Sequence, residues 1–426
     1  MGPKAMGARR PRAVRAVFAT FFACAACVAA SQAAEPIKIG IISEDSAIAG
    51  NGISKAAQMA ADDVNAHGGV DGRKIELVLY DDHASAPDAV RAFQRLVTED
   101  KVVAVVGTFM SEVALALEPW AARLHVPFIT TGATSNEISK AVHNDYAQMK
   151  YTFDGWVIST DQANLICSAI KVTLQSKYVV KSAVIFSEDA AWTTPLDQGY
   201  LDCLPKIGVT VLDHVRFAKD TNDFTPIYNK IEALKPDIIV TGISHVGVQP
   251  TVQWAQQQVP IPMVGVSSQG TNGTFWKDTN GATAGFIVFP MMSAEGAHPS
   301  TFTEPFVADF TKRFGAPPPY SAFSTYDAIH YMAEAVKLAD STDGDKLVEA
   351  LERTDYVGVI GHIQFLGKDD AATHAIKTSD GFSGFVMGQW QDGKQVALRP
   401  LSPEGTDIKF PDFIHLRPAI TTSSRP

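Results

Sequence analysis

Cysteine is scarce in this chain: there are four in 426 residues, and two of them, Cys24 and Cys27, fall within the first thirty positions. That excludes a small scaffold stapled by disulfides. Acidic residues are missing before Glu35, where Lys4, Arg9, Arg10, Arg12 and Arg15 stand without counter-charge. Long apolar runs are missing too. The one run that invites a membrane reading, Ala16 to Ala30, falls short of the roughly 20 residues a spanning helix needs. No HExxH, P-loop or GxGxxG occurs. Gly265-Val266-Ser267-Ser268-Gln269-Gly270 misses the G-x-S-x-G nucleophile elbow by one residue. With 46% hydrophobic and 19% charged residues the chain is neither disordered nor fibrous, and its length accommodates two domains.

The N-terminus reads as a leader. A basic start, an apolar stretch and the small-x-small site Ser31-Gln32-Ala33 describe a secretory signal peptide over residues 1–33. Cys27 follows Cys24-Ala25-Ala26 and only weakly resembles an acylation site. Arg9-Arg10 is followed by Pro11, without the rest of a twin-arginine motif. Cleavage leaves 31 basic against 46 acidic residues, a net charge of −15. Such a balance opposes nucleic-acid binding, which needs basic patches. It agrees with a monomeric exported protein. The mature part keeps Cys167 and Cys203. They lie on consecutive expected helices, so one bridge is feasible in an oxidising compartment, with two buried thiols as the alternative.

From Ile37 short Val/Ile-rich runs alternate with helical periods. Strands are expected at Ile37–Ile42, Ile75–Tyr80, Val102–Val106 and Val126–Thr130. The rhythm restarts after Asn144, with strands at Ala183–Ser187, Val209–Phe217, Ile238–Ile243, Met263–Val266 and Phe286–Phe289. This alternation predicts two open α/β sheets of right-handed βαβ units. Helices return at Phe302–Phe314, Thr325–Leu338 and Lys346–Thr354, then strand-like segments at Ile360–Phe365 and Gly384–Gln391. Beyond Arg399 a Pro/Ser/Gly-rich tail is expected, frayed from Ile420.

Open α/β sheets bind ligands beyond the carboxyl ends of their strands. Those positions here hold mostly Ser, Thr and Gly, a composition suited to hydrogen-bonding a ligand rather than to acid–base chemistry. Ser111 opens a helix, where it either caps the helix or receives an anion with the free N–H groups. Thr131-Gly132-Ala133-Thr134 ends the neighbouring strand, so the two loops can share one ligand group. Phe109, Trp156, Trp192 and Tyr326 fall at strand ends or junctions and make either core or an aromatic-tolerant pocket. Asp81-Asp82-His83 has metal-binding letters, but no second cluster answers it, and neither a metal nor a cofactor is expected.

Taken together, four segments (Glu35–Val90, Val102–Ser139, Thr221–Val240 and Tyr320–Val336) resemble the Leu/Ile/Val-binding periplasmic proteins of ABC importers, over about Ile37 to Leu398. The resemblance implies a type I periplasmic-binding-protein fold, in which two Rossmann-like lobes with parallel sheets are joined by three crossings. These fall near Tyr151–Trp156, Pro290–Ser293 and Gly358–His362, giving lobe one as 36–152 plus 291–358, lobe two as 153–290 plus 359–398, and a tail over 399–426. It further implies a small-molecule ligand, a membrane permease as partner, and transport rather than catalysis. By position, Ser111, Gly132 and Thr134 match the family's ligand-carboxylate site, and Trp192 matches an aromatic covering the ligand. Phe109, Trp156 and Ser244 complete the expected pocket.

The departures point to the ligand. Ser267 stands where amino-acid binders carry an acid for the ligand ammonium, and Ser159 stands at a second acidic position. Ser244 replaces a tyrosine, and Ala49 an aromatic of the first loop. A buried ammonium without a carboxylate partner costs several kcal/mol, so the expected ligand is a carboxylate or amide without an α-ammonium, unless Asp154, Glu44 or Glu112 substitutes. Two further readings stay open: a receptor presenting its ligand to a separate signalling protein, and a secreted hydrolase, which lacks an ordered nucleophile–base set.

Overall fold

Most of the Val/Ile runs lie buried because helices cover both faces of each sheet, the arrangement parallel strands require. In the computed structural model, which describes residues 1, 2, 7, 35–47, 50–379 and 381–419, they form two main sheets. The first contains β1 (Ile37–Ser43), β2 (Ile75–Asp81), β3 (Ala104–Gly107), β4 (Phe128–Thr130) and β5 (Thr152–Asp154) in the order β2-β1-β3-β4-β5. All its pairs are parallel. β6 (Ser182–Glu188), β7 (Thr210–Phe217), β8 (Ile238–Ile243), β9 (Met263–Ser267) and β10 (Ile287–Phe289) build the second. β11 (Tyr356–Gly358) and β12 (Gly361–Ile363) pair only with each other. β13 (Gly388–Gln391) and β14 (Lys394–Ala397) then extend the second sheet antiparallel, giving the order β14-β13-β10-β9-β8-β6-β7. Every residue of β8 and β9 is buried, whereas edge strand β7 alternates.

Helix starts follow local chemistry. Ser85 accepts from the Asp88 N–H with Pro87 in the first turn, and Asp343 accepts from Lys346. After β10 the chain returns to the first sheet, where helices Thr303–Phe314, Tyr320–Ala339 and Gly344–Leu351 bury Phe306, Phe310, Phe323, Met332 and Leu347 in its core. In the second lobe Cys167 and Cys203, on helices Ser159–Ala169 and Thr193–Cys203, are joined by a disulfide across a Cα–Cα distance of 6.1 Å.

Three expectations shift. Helix Tyr320–Ala339 begins five residues before the expected Thr325. Its first turns are polar because Ser324 and Thr325 donate to the backbone oxygen and hydroxyl of Thr131. The chain also stays with the first lobe past residue 362: Ile363, Phe365 and Ile376 lie in that lobe's core, and Asp154 N–H donates to His374 O at 2.9 Å. The polar stretch that reads as a loop thus folds back on β5 before the third crossing. Finally, residues 399–419 are not a loose tail. Lys409 N–H donates to Gln389, Phe413 packs on Trp254 with ring centres 5.2 Å apart, and Val179 N–H donates to Arg417 O. The expected leader, with Cys24 and Cys27, the loop residue Ala49 and the stretch from Ile420 lie outside the described residues.

Among the described residues no helix is long and apolar enough to cross a membrane.

Candidate functional site

The carboxyl ends of β3, β4, β5, β6, β8, β9 and β10 converge on one narrow cleft. β3 ends in Gly107 at φ +134°, where a Cβ would stand 1.9 Å from Ile42 O. Only glycine fits there, and the chain turns into the cleft. Phe109 and Ser111 line the cleft just beyond it. Gly132 lines it next, and a Cβ there would come within 2.9 Å of the Phe109 backbone, so the two loops touch.

Ser111 opens helix Ser111–Leu124. Its Oγ accepts the backbone N–H groups of Thr134 and Ser135, each at 3.1 Å. With its acceptor sites filled by two N–H groups, the hydroxyl proton is left to donate. The first turn of the helix adds N–H groups that have no intrahelical acceptor. Thr134 Oγ1 lies 3.1 Å from Ser159 Oγ, which also donates to Thr134 O at 2.9 Å. Because Ser159 gives its one proton to Thr134 O, Thr134 Oγ1 donates to Ser159 Oγ. This end of the site is a set of donors fit for a carboxylate.

The remaining walls are mostly aromatic or apolar. Trp156, Trp192, Tyr320, Val266 and Pro290 line them, and Tyr320 is fixed by donation to Gly132 O at 2.8 Å. Its ring lies 5.3 Å from Trp156 and 6.1 Å from Phe109. Ser244, His245, Ser268 and Gln162 supply the other polar atoms. Of the residues expected from sequence, Ser111, Gly132, Thr134, Trp192, Trp156, Phe109 and Ser244 meet here. Ser267 does not: it is fully buried, and its Oγ accepts the Gly270 N–H at 3.0 Å, so it holds a turn. Tyr326 turns away and donates to Asp63. Sequence reasoning missed Tyr320 and Gln162, and left His245 and Ser268 as strand-end positions without a role. His245 stood directly after Ser244 at a strand end, and Tyr320 was lost with the misplaced helix start.

No acid lines this cleft. Asp154 accepts from the Thr130 hydroxyl inside lobe one, and burial raises its pKa to about 7. Glu44 accepts from Met110 N–H. Burial, then the nearby Asp82, raises it to about 8, so it is mostly uncharged at neutral pH. Glu112 is paired with Lys219 at 2.6 Å. Asp81 and Asp82 accept from His83 and Ala84 N–H within their own loop. Among the described residues there is no group of three or more His, Cys, Asp or Glu side chains placed to hold a metal.

A family model for periplasmic binding proteins matches residues 36–380. The chain belongs to the periplasmic binding proteins. An amino acid binding protein of Pseudomonas aeruginosa is 27% identical over 353 residues, 79% of this chain and 85% of the relative. Leu/Ile/Val-binding protein homolog 7 of Brucella suis is 24% identical over 408 residues, 90% of this chain and 96% of the relative. Among solved structures, the branched-chain amino acid transporter substrate binding protein LivJ from Streptococcus pneumoniae, in complex with isoleucine, superposes with a TM-score of 0.73 at 22% identity, covering 86% of this chain and all of that one. A solute binding protein of an ABC transporter from Rhodopseudomonas palustris, in complex with 3,4-dihydroxy benzoic acid, gives 0.70 at 22% identity over 88% and 98%. The fold thus hosts both zwitterionic and aromatic acid ligands, and this periplasmic binding protein is a solute-binding protein by family.

Proposed function

We propose that this protein is the solute receptor of an ABC importer and captures a small carboxylate with an aromatic or apolar body and no α-ammonium. Ser111 and the N-terminus of the helix it opens take the carboxylate, beside Thr134. Phe109, Trp156, Trp192 and Tyr320 enclose the body. Export by the N-terminal leader and docking of the closed form on a membrane permease belong to the same reading. The observation that carries it is the lining: hydroxyl and N–H donors at one end, aromatic rings around the rest, and no carboxylate to neutralise an ammonium. An ammonium enclosed here would lose its water without a carboxylate in contact, because Glu188, behind His245, is already engaged by four donors, at a cost of several kcal/mol. A benzoate-like anion loses little, because its charge sits among donors and its ring among rings.

The test is a thermal-shift screen of the purified protein followed by calorimetry, with benzoate, aliphatic carboxylates, small amides, leucine and isoleucine. A ligand at 100 times its Kd adds about 2.7 kcal/mol of stability. Aromatic carboxylates are expected to stabilise the protein and branched-chain amino acids to do so weakly or not at all. Ser111→Ala is expected to weaken carboxylate binding by about 1.5–3 kcal/mol, roughly tenfold to a hundredfold. Tight leucine binding overturns the reading.

A further inference from the structure

One cleft residue is held by an apparatus that the carboxylate reading does not use. Glu188 ends β6, is fully buried, and receives four donors. Oε2 accepts the backbone N–H groups of Ser244 (2.9 Å) and His245 (2.7 Å), and Oε1 accepts Trp192 Nε1 (3.0 Å) and His245 Nδ1 (2.5 Å). Burial alone would raise its pKa. The His245 side chain and the two backbone N–H groups outweigh that and hold it below the ordinary glutamate value, so Glu188 is a carboxylate. An ionised carboxylate only accepts, and Nδ1 of His245 therefore carries the proton.

The other edge, Nε2, presents a lone pair when the ring is neutral. It is buried and has no hydrogen-bond partner, while His245 lines the cleft with its ring 5.7 Å from Phe109. A buried acceptor left unpaired costs free energy until something donates to it. The cleft walls carry neither lysine nor arginine, and the Glu188 charge lies directly behind the imidazole. A second anion on the ligand is therefore disfavoured beside His245, and a neutral O–H is suited to it.

We propose that His245 Nε2 accepts a hydrogen bond from a hydroxyl of the ligand, on the wall opposite the Ser111 site, so that the protein selects hydroxy-substituted carboxylates over their unsubstituted parents. Glu188 is the positioning residue: it sets the tautomer and also seats Trp192. This inference rests on the aromatic-carboxylate reading above and names the substituent that such a ligand carries.

Calorimetry with benzoate, 3-hydroxybenzoate and 4-hydroxybenzoate tests it on the wild-type protein and on His245→Phe, which keeps a ring but no acceptor. The wild type is expected to bind at least one hydroxy isomer about tenfold or more tighter than benzoate, equivalent to about 1.4 kcal/mol. In His245→Phe that ratio is expected to fall to within about twofold of one, as loss of one hydrogen bond requires. Equal binding of all three acids by the wild type overturns the inference and leaves the parent reading standing. Equal losses for all three in His245→Phe also overturn it, because the histidine then reads the carboxylate. Binding of none of the three overturns the parent reading. Nitrogen-15 NMR of the wild-type histidines needs no variant: the Nε2 resonance of His245 should shift with the preferred hydroxy isomer and not with benzoate, and unchanged resonances with both count against the proposal.

Discussion

Glu118 is a buried acid with an oxygen that has no partner, in the middle of the helix that Ser111 begins. Burial, with the nearby Asp154 adding to it, raises its pKa to about 9. Unfolded, it titrates near 4.5. Between those values the folded chain holds a proton that the unfolded chain releases, so folding stability falls as pH rises from about 4.5 to about 9. Asp154, raised by burial to about 7, contributes the same sign over a lower window. Glu118→Gln keeps the shape and removes the titration. Its melting temperature should match the wild type near pH 5 and exceed it near pH 9, and parallel melting curves across that range would sink the argument. Sequence could not show this, because Glu118, Pro119 and Trp120 share one helix turn and nothing in their letters says which faces the sheet.

Elements were legible where one periodicity dominated. The Val/Ile runs of β1, β8 and β9 appear within a residue of their expected ends because burial on both faces leaves no choice of residue type. Legibility failed where polar residues are satisfied by distant backbone, as in the Ser/Thr-rich first turns of helix Tyr320–Ala339 and the fold-back onto β5. The segment beyond Arg399 is the clearest case. Its prolines and serines read as a tail, yet Phe410 packs on Tyr178 and Phe413 on Trp254, strapping the second sheet. Phe413→Ala should destabilise the second lobe by about 1–3 kcal/mol, less than a full core Phe→Ala because the ring is half-buried. That corresponds to a loss of several degrees in melting temperature at about 2–4 °C per kcal/mol. An unchanged transition in calorimetry would return the segment to the status of a tail.

At the scale of the whole molecule, the two lobes also touch each other directly. Glu112, next to the proposed carboxylate site on lobe one, reaches across to lobe two, where it pairs with Lys219 at 2.6 Å and accepts Ala191 N–H at 3.3 Å. Ser135 Oγ donates to Ala191 O from the same side. Ala191 adjoins Trp192, so the latch closes at the edge of the ligand's own enclosure. Burial would raise the Glu112 pKa, but hydrogen bonding to Lys219 outweighs this and keeps it below the ordinary glutamate value, so the latch is charged at neutral pH. Both side chains are about one-third exposed, which places the pair near the surface limit of about 1 kcal/mol and makes it salt-sensitive. A contact made only in the closed form shifts the open–closed equilibrium by its own free energy and no more. Lys219→Met should therefore weaken ligand binding by up to about fivefold, chiefly through faster dissociation. It should also raise the radius of gyration of the unliganded protein in solution scattering and leave the melting of the separate lobes unchanged. The affinity difference should shrink as salt is added, since screening does to the wild type what the substitution does to the variant. Identical scattering and affinity at low salt would show that the ligand alone closes the cleft.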